Sequence, residues 1–91
     1  MKWKEKQIDQ GLKSLTGWVK ENQTIVKVFS FPAYMDGIRF VQKVAEEAEK
    51  RNHHPDILIE YRKVTLRLTT HDEAGLTEKD FNLASRLDTL V

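Results

Sequence analysis

The sequence predicts an α+β domain: a four-stranded antiparallel sheet with about three helices packed on one face, in the order α-β-β-α-β-β-α. Two pairs of short β-branched or aromatic stretches, each pair joined by a polar turn, have the form of hairpins. Three other stretches repeat apolar residues every three or four positions, as amphipathic helices do. At 91 residues the chain forms one domain, 1–91, with room for a single small core.

Each element has a local reason. From Lys4 to Leu15, Ile8, Leu12 and Leu15 fall on one helical face, and Gly17 is the expected stop because glycine tolerates a left-handed turn. Trp18-Val19-Lys20 reads as a short strand, Glu21-Asn22-Gln23 as a turn, and Thr24 to Phe31 as the returning strand. In that strand Ile25, Phe29 and Phe31 point one way and Val26 and Val28 the other. Pro32 ends it and suits the start of a helix over Ala33 to Arg51. The apolar stripe of that helix is Ile38, Val41, Val44, Ala45 and Ala48, with Gln42, Lys43, Glu46, Glu47 and Lys50 opposite. Gly37 marks either close packing or a tolerated surface glycine.

Asn52 is a fair helix stop, and the proline at 55 forces His54 into extended geometry. Ile57, Ile59 and Tyr61 alternate as a strand, Arg62-Lys63 turns, and Val64, Leu66 and Leu68 return. After a turn at Asp72-Glu73-Ala74-Gly75, Thr77 is a strong helix N-cap, with Glu78 and Asp80 matching the helix dipole. Leu76 and Phe81 have the spacing of a hydrophobic staple. The last helix runs to about Leu90 and buries Phe81, Ala84, Leu87 and Val91.

Composition narrows the function. Hydrophobic residues make up 40% and charged residues 32%, and the net charge is only +1, so the electrostatic footprint of a nucleic-acid binder is missing. With no cysteine, a disulfide scaffold, a thiolate metal site and a cysteine nucleophile are excluded together. No signal peptide is visible, and no apolar run approaches the roughly 20 residues of a membrane span, so a cytoplasmic protein without membrane contact is expected. A core this small often leans on oligomerisation.

The three histidines lie in two short segments, Asn52-His53-His54-Pro55 and Thr69-Thr70-His71-Asp72. An imidazole gives and takes protons near neutral pH, so their gathering at turns and strand ends points to a site. Pro55 and Thr70 sit at matching distances from the Arg62-Lys63 turn, so the second hairpin brings the two segments together. Three imidazoles can then line one cleft, with Asn52, Thr70 and Asp72 as orienting or substrate-binding groups. Such a set suits loss or addition of water, in which an acid protonates a leaving hydroxyl and a base takes a proton elsewhere. A capping or surface His-His pair is one rival reading. A three-histidine metal site is another, although adjacent His53 and His54 must then turn towards one ion and spaced ligand patterns are missing. Ser14, Ser30 and Ser85 lack a nucleophile-elbow setting, and no glycine-rich phosphate loop exists.

With these residues in view, the chain resembles the pterin-4a-carbinolamine dehydratase family. The likeness rests on Ala48-Glu49-Lys50-Arg51-Asn52-His53-His54-Pro55, Tyr61, Val64, Leu68-Thr69-Thr70-His71-Asp72, Ala74-Gly75-Leu76-Thr77, Asp80 and Leu83-Ala84. Weaker matches upstream are Gly17-Trp18, Phe29 and Phe31, and Phe40 with Val44-Ala45. The resemblance implies dehydration of 4a-hydroxytetrahydropterin to quinonoid dihydropterin, a step in recycling the cofactor of aromatic amino-acid hydroxylases. It implies no metal and no organic cofactor, a homodimer or homotetramer, and an antiparallel sheet with helices on one side. By matching position His53, His54 and His71 are the catalytic and pterin-binding histidines. One of His53 and His71 is expected to protonate the departing 4a-hydroxyl and the other to accept a ring-nitrogen proton, while His54 holds the ring. Asn52, Pro55, Thr69, Thr70 and Asp72 are expected to bind substrate, Trp18 to form an aromatic wall, and Glu49 and Asp80 to support the histidines. Animal members also stabilise a transcription-factor dimer, which makes a protein-binding module the competing class. Ile57 and Arg62 depart from the commonest family pattern without touching a histidine.

Overall fold

In a computed structural model, which describes residues 1–91, the two hairpins form and then pair through their inner strands. The elements are α1 (Glu5–Lys13), β1 (Val19–Glu21), β2 (Thr24–Ser30), α2 (Tyr34–Arg51), β3 (Asp56–Glu60), β4 (Lys63–Leu68) and α3 (Glu78–Asp88), with a 3₁₀ turn at His71–Glu73. The sheet order is β1-β2-β4-β3, and every pairing is antiparallel.

Alternation decides which face is covered. Ile25, Phe29, Val64, Leu66 and Leu68 are buried on the helix side with Phe40, Val44, Leu83 and Leu87. On the other face Val28 is opposite Thr65, which is also opposite Leu58, and both apolar residues are exposed. Burying one apolar face at roughly 25 cal/mol per Å² is what holds so short a chain together. Gly37 packs: a Cβ there would meet Val64 at 3.4 Å and Phe31 at 3.5 Å, ordinary contact distances that leave little spare room.

Several boundaries and faces differ from expectation. Helix α1 ends at Lys13, capped by Ser14, so Gly17 does not end it; its φ of +85° instead turns the chain into β1. Trp18 precedes the strand and is buried in the core. The second hairpin turns at Tyr61-Arg62, because Glu60 pairs with Lys63, and Ile57 and Ile59 face Leu66 and Val64. The α2 stripe is rotated: Phe40, Val44 and Ala48 are buried, whereas Ala45 is exposed. Helix α3 stops at Asp88, which leaves Val91 exposed beyond it.

Glu47, placed by pattern on the solvated face, is only 8% exposed. Its carboxylate accepts from Arg51 Nε at 2.9 Å and from Arg86 Nε at 3.2 Å, which clamps α2 to α3. The Arg51 hydrogen bond, followed by that of Arg86 and the charge of both, holds its pKa below the ordinary 4.5 against the opposing effect of burial. A carboxylate with a lowered folded pKa stabilises the fold above its unfolded pKa, and that contribution is lost as pH falls through the folded value. Glu47→Gln is therefore expected to destabilise the protein at neutral pH, and its gap from wild type to close as pH drops below 4.5, by urea denaturation across pH. In the same assay Leu66→Ala, at a fully buried central-strand position, is expected to cost about 2–5 kcal/mol.

Candidate active site

Two chain ends meet beside the sheet. At the end of α2, Asn52 takes up left-handed geometry (φ 50°, ψ 44°), which asparagine tolerates better than most residues. The His53 amide then donates back to the Ala48 carbonyl at 3.1 Å and the Asn52 amide to Glu49 at 3.2 Å, the bonding of a Schellman turn. This reversal sets His53 and His54 at the mouth of β3. From the other side, β4 delivers Thr69 and Thr70, and His71 opens the 3₁₀ turn. Thr70 and Gly75 close that loop with paired backbone bonds, Thr70 N–H to Gly75 at 3.0 Å and Gly75 N–H to Thr70 at 3.4 Å.

Between these ends lies a cleft of about 320 Å³ lined by His53, His54 and His71. Asn52, Pro55, Thr69, Thr70 and Asp72 also border it, so eight of the residues singled out from sequence share one wall. Apart from Pro55 the lining is wholly polar or charged.

The three imidazoles are held differently. The His53 side chain is 13% exposed, and its Nε2 lies 2.7 Å from Oδ1 of Asp80. Asp80 is completely buried, and its other oxygen accepts from Thr70 Oγ1 at 2.8 Å and from the Thr77 amide at 2.9 Å. Three donors converging on one carboxylate suit the ionised form, which only accepts. Nε2–H of His53 then donates to it, so a neutral His53 carries its lone pair on Nδ1. His54 is half exposed, with Nε2 2.5 Å from Oε2 of the exposed Glu49. His71 is exposed, and no side-chain hydrogen bond restrains its ring.

Trp18 lies elsewhere. It is 4% exposed, edge-on to Phe29, and its indole N–H donates to both oxygens of Asp88, at 3.1 and 3.2 Å. Asp88 ends α3 while Asp80 lies in its first turn, about 12 Å apart along the axis at 1.5 Å per residue. Trp18 therefore forms no wall of the histidine cleft: its large apolar ring is better accommodated by the core, with Asp88 satisfying its one donor. Two lining residues, Asp56 and Lys79, were not singled out from sequence. Lys79 had a readable signal, because a lysine in a helix's first turn opposes the macrodipole and is poorly explained by helix stability. No group of three or more His, Cys, Asp or Glu side chains is arranged to hold a metal ion.

The family model for pterin 4 alpha carbinolamine dehydratase matches residues 1–90. A candidate pterin-4-alpha-carbinolamine dehydratase of Roseiflexus sp. (strain RS-1) is 49% identical over 85 residues, covering 93% of this chain and 91% of that one. One from Sulfolobus acidocaldarius is 40% identical over 88 residues, covering 97% of each. Among solved structures, a transcriptional coactivator/pterin dehydratase from Brucella melitensis superposes with a TM-score of 0.95 at 30% identity, over 99% of this chain and 98% of that one. A pterin dehydratase-like protein described as a RuBisCO assembly factor of the α-carboxysome shares the fold, with a TM-score of 0.67 at 23% identity over 80% and 84% of the chains.

Asparagine cannot accept from all three donors that meet at Asp80. Asp80→Asn is accordingly expected to lower stability by about 1–3 kcal/mol, read by chemical denaturation at neutral pH.

Proposed function

The chain belongs to the pterin 4 alpha carbinolamine dehydratase family, and on that premise we propose that it converts 4a-hydroxytetrahydropterin to quinonoid dihydropterin and water by acid–base catalysis at its histidines. The observation that carries this reading is three imidazoles around one polar cleft, one of them fixed by a buried carboxylate.

In the reaction the C4a–O bond breaks. The departing hydroxyl takes a proton and leaves as water, while a ring N–H gives up its proton and the nitrogen lone pair forms the new C=N bond. We assign the base to His53: its Nε2–H is engaged by Asp80, Nδ1 is left to accept, and the buried carboxylate balances the imidazolium that forms. The same division of labour operates in a Ser-His-Asp triad. His71, unrestrained and reached by solvent, supplies the proton to the hydroxyl and regains it from water. His54, braced by Glu49, holds the heterocycle, and Asn52, Thr69, Thr70 and Asp72 provide polar contacts along its edge. Nothing in this scheme calls on a metal or organic cofactor.

We further propose that the enzyme works in the cytoplasm as a homodimer or homotetramer. The exposed Val19, Val28 and Leu58 on the open sheet face support association. The same surface supports the second reading, a protein-binding module of coactivator type; the Brucella melitensis relative is itself described as a transcriptional coactivator/pterin dehydratase. Recovery of a stable protein partner by the His53→Ala/His71→Ala double variant favours that second reading.

Purified protein is expected to accelerate the loss of 4a-hydroxypterin absorbance, and His71→Ala to lower the rate by about 10². A wild-type rate equal to that in buffer rejects the dehydratase.

A further inference from the structure

Thr77 begins α3 as its N-cap: its Oγ1 accepts from the Lys79 amide at 3.2 Å, and its own amide donates to Asp80. The same hydroxyl also lies 2.8 Å from Thr70 Oγ1, in a contact where either oxygen could be the donor. The surroundings decide which. Thr70 has one hydroxyl hydrogen, and it goes to Oδ2 of Asp80. Thr70 can therefore only accept from Thr77, whose hydrogen is free because its bond with Lys79 uses a lone pair. The hydroxyls of Thr77 and Thr70 thus point in one direction, towards the carboxylate that holds His53. All three of these residues are at most 5% exposed, so bulk water does not readily replace a lost partner.

We infer that Thr77 is a positioning residue for His53 as well as a helix cap. Its hydroxyl orients Thr70, Thr70 orients and polarises Asp80, and Asp80 keeps the proton of His53 on Nε2 and the lone pair on Nδ1. Aligned hydrogen bonds strengthen one another in a poorly solvated setting, so the chain holds the ring more firmly than its last bond alone would. The start of α3 and the reactive nitrogen are then set by one network. The catalytic meaning of this inference rests on the proposed dehydratase reaction; its structural content does not.

The test separates the cap from the relay. Thr77→Val removes both, Thr77→Ser keeps both, and Thr77→Gly removes the hydroxyl while remaining an acceptable N-cap. Thr70→Val cuts the relay without touching the cap. The ¹⁵N shifts of the His53 ring report its tautomer directly. Thr77→Val, Thr77→Gly and Thr70→Val are each expected to move those shifts away from the pure Nε2–H pattern, and Thr77→Ser to keep it. With the carbinolamine as substrate, Thr77→Val and Thr77→Gly are expected to lose about tenfold in kcat with little change in KM, the signature of a misplaced reacting group. Unchanged His53 shifts in folded Thr77→Gly and Thr70→Val, with unchanged kcat in Thr77→Gly, overturn the inference and leave Thr77 a cap only. If wild type shows no dehydration, the proposed reaction fails, and the ¹⁵N shifts alone decide the positioning role. Should Thr77→Val fail to fold, Thr77→Gly and Thr70→Val carry the test.

Discussion

A completely buried carboxylate is the constraint on which the site depends. Left alone in so dry a place, the charge of Asp80 would be costly. It is tolerated because three donors from separate parts of the chain converge on it: the His53 ring, the Thr70 hydroxyl and the Thr77 amide. Each belongs to a different piece of backbone, namely the end of α2, the end of β4 and the cap of α3. Satisfying one charge therefore fixes three segments relative to one another. Stability and the orientation of the candidate base arise from the same bonds.

The sheet contributes by bringing chain ends together. The β3–β4 hairpin returns the segment after Leu68 to the level where the chain left α2, and the left-handed Asn52 turns the preceding residues towards it. Histidines on opposite sides of a hairpin thus meet without a long loop. The three rings then differ in restraint, from the anchored His53 to the half-exposed His54 and the unrestrained His71. That gradient suits a reaction needing one fixed base, one binding contact and one group in exchange with water.

Much of this was legible in the chain. Period-two alternation in β2 and β4 and the staple and cap around Thr77 identified the elements, and the grouping of histidines beside turn residues located the cleft. Other features depend on contacts that no local pattern encodes. The burial of Glu47 follows from Arg86, 39 residues away, which neutralises what looks like one more solvated helix carboxylate. Trp18 carries no local sign that its partner is Asp88, 70 residues on. Asp80 matches the first-turn preference for acids, and that local explanation hides its bond to His53 across 27 residues. The hairpin turn slipped by one position because cross-strand pairing of Glu60 with Lys63, rather than turn propensity, sets the register.

The most direct test of the account is a titration of the folded protein with a dihydropterin, following the ring signals of the histidines and the indole signal of Trp18 by NMR. A heterocycle seated among the imidazoles predicts saturable shifts of His53, His54 and His71 with one common affinity, and an indole signal of Trp18 that stays in place. Saturable binding that moves Trp18 and leaves the three histidines untouched contradicts it.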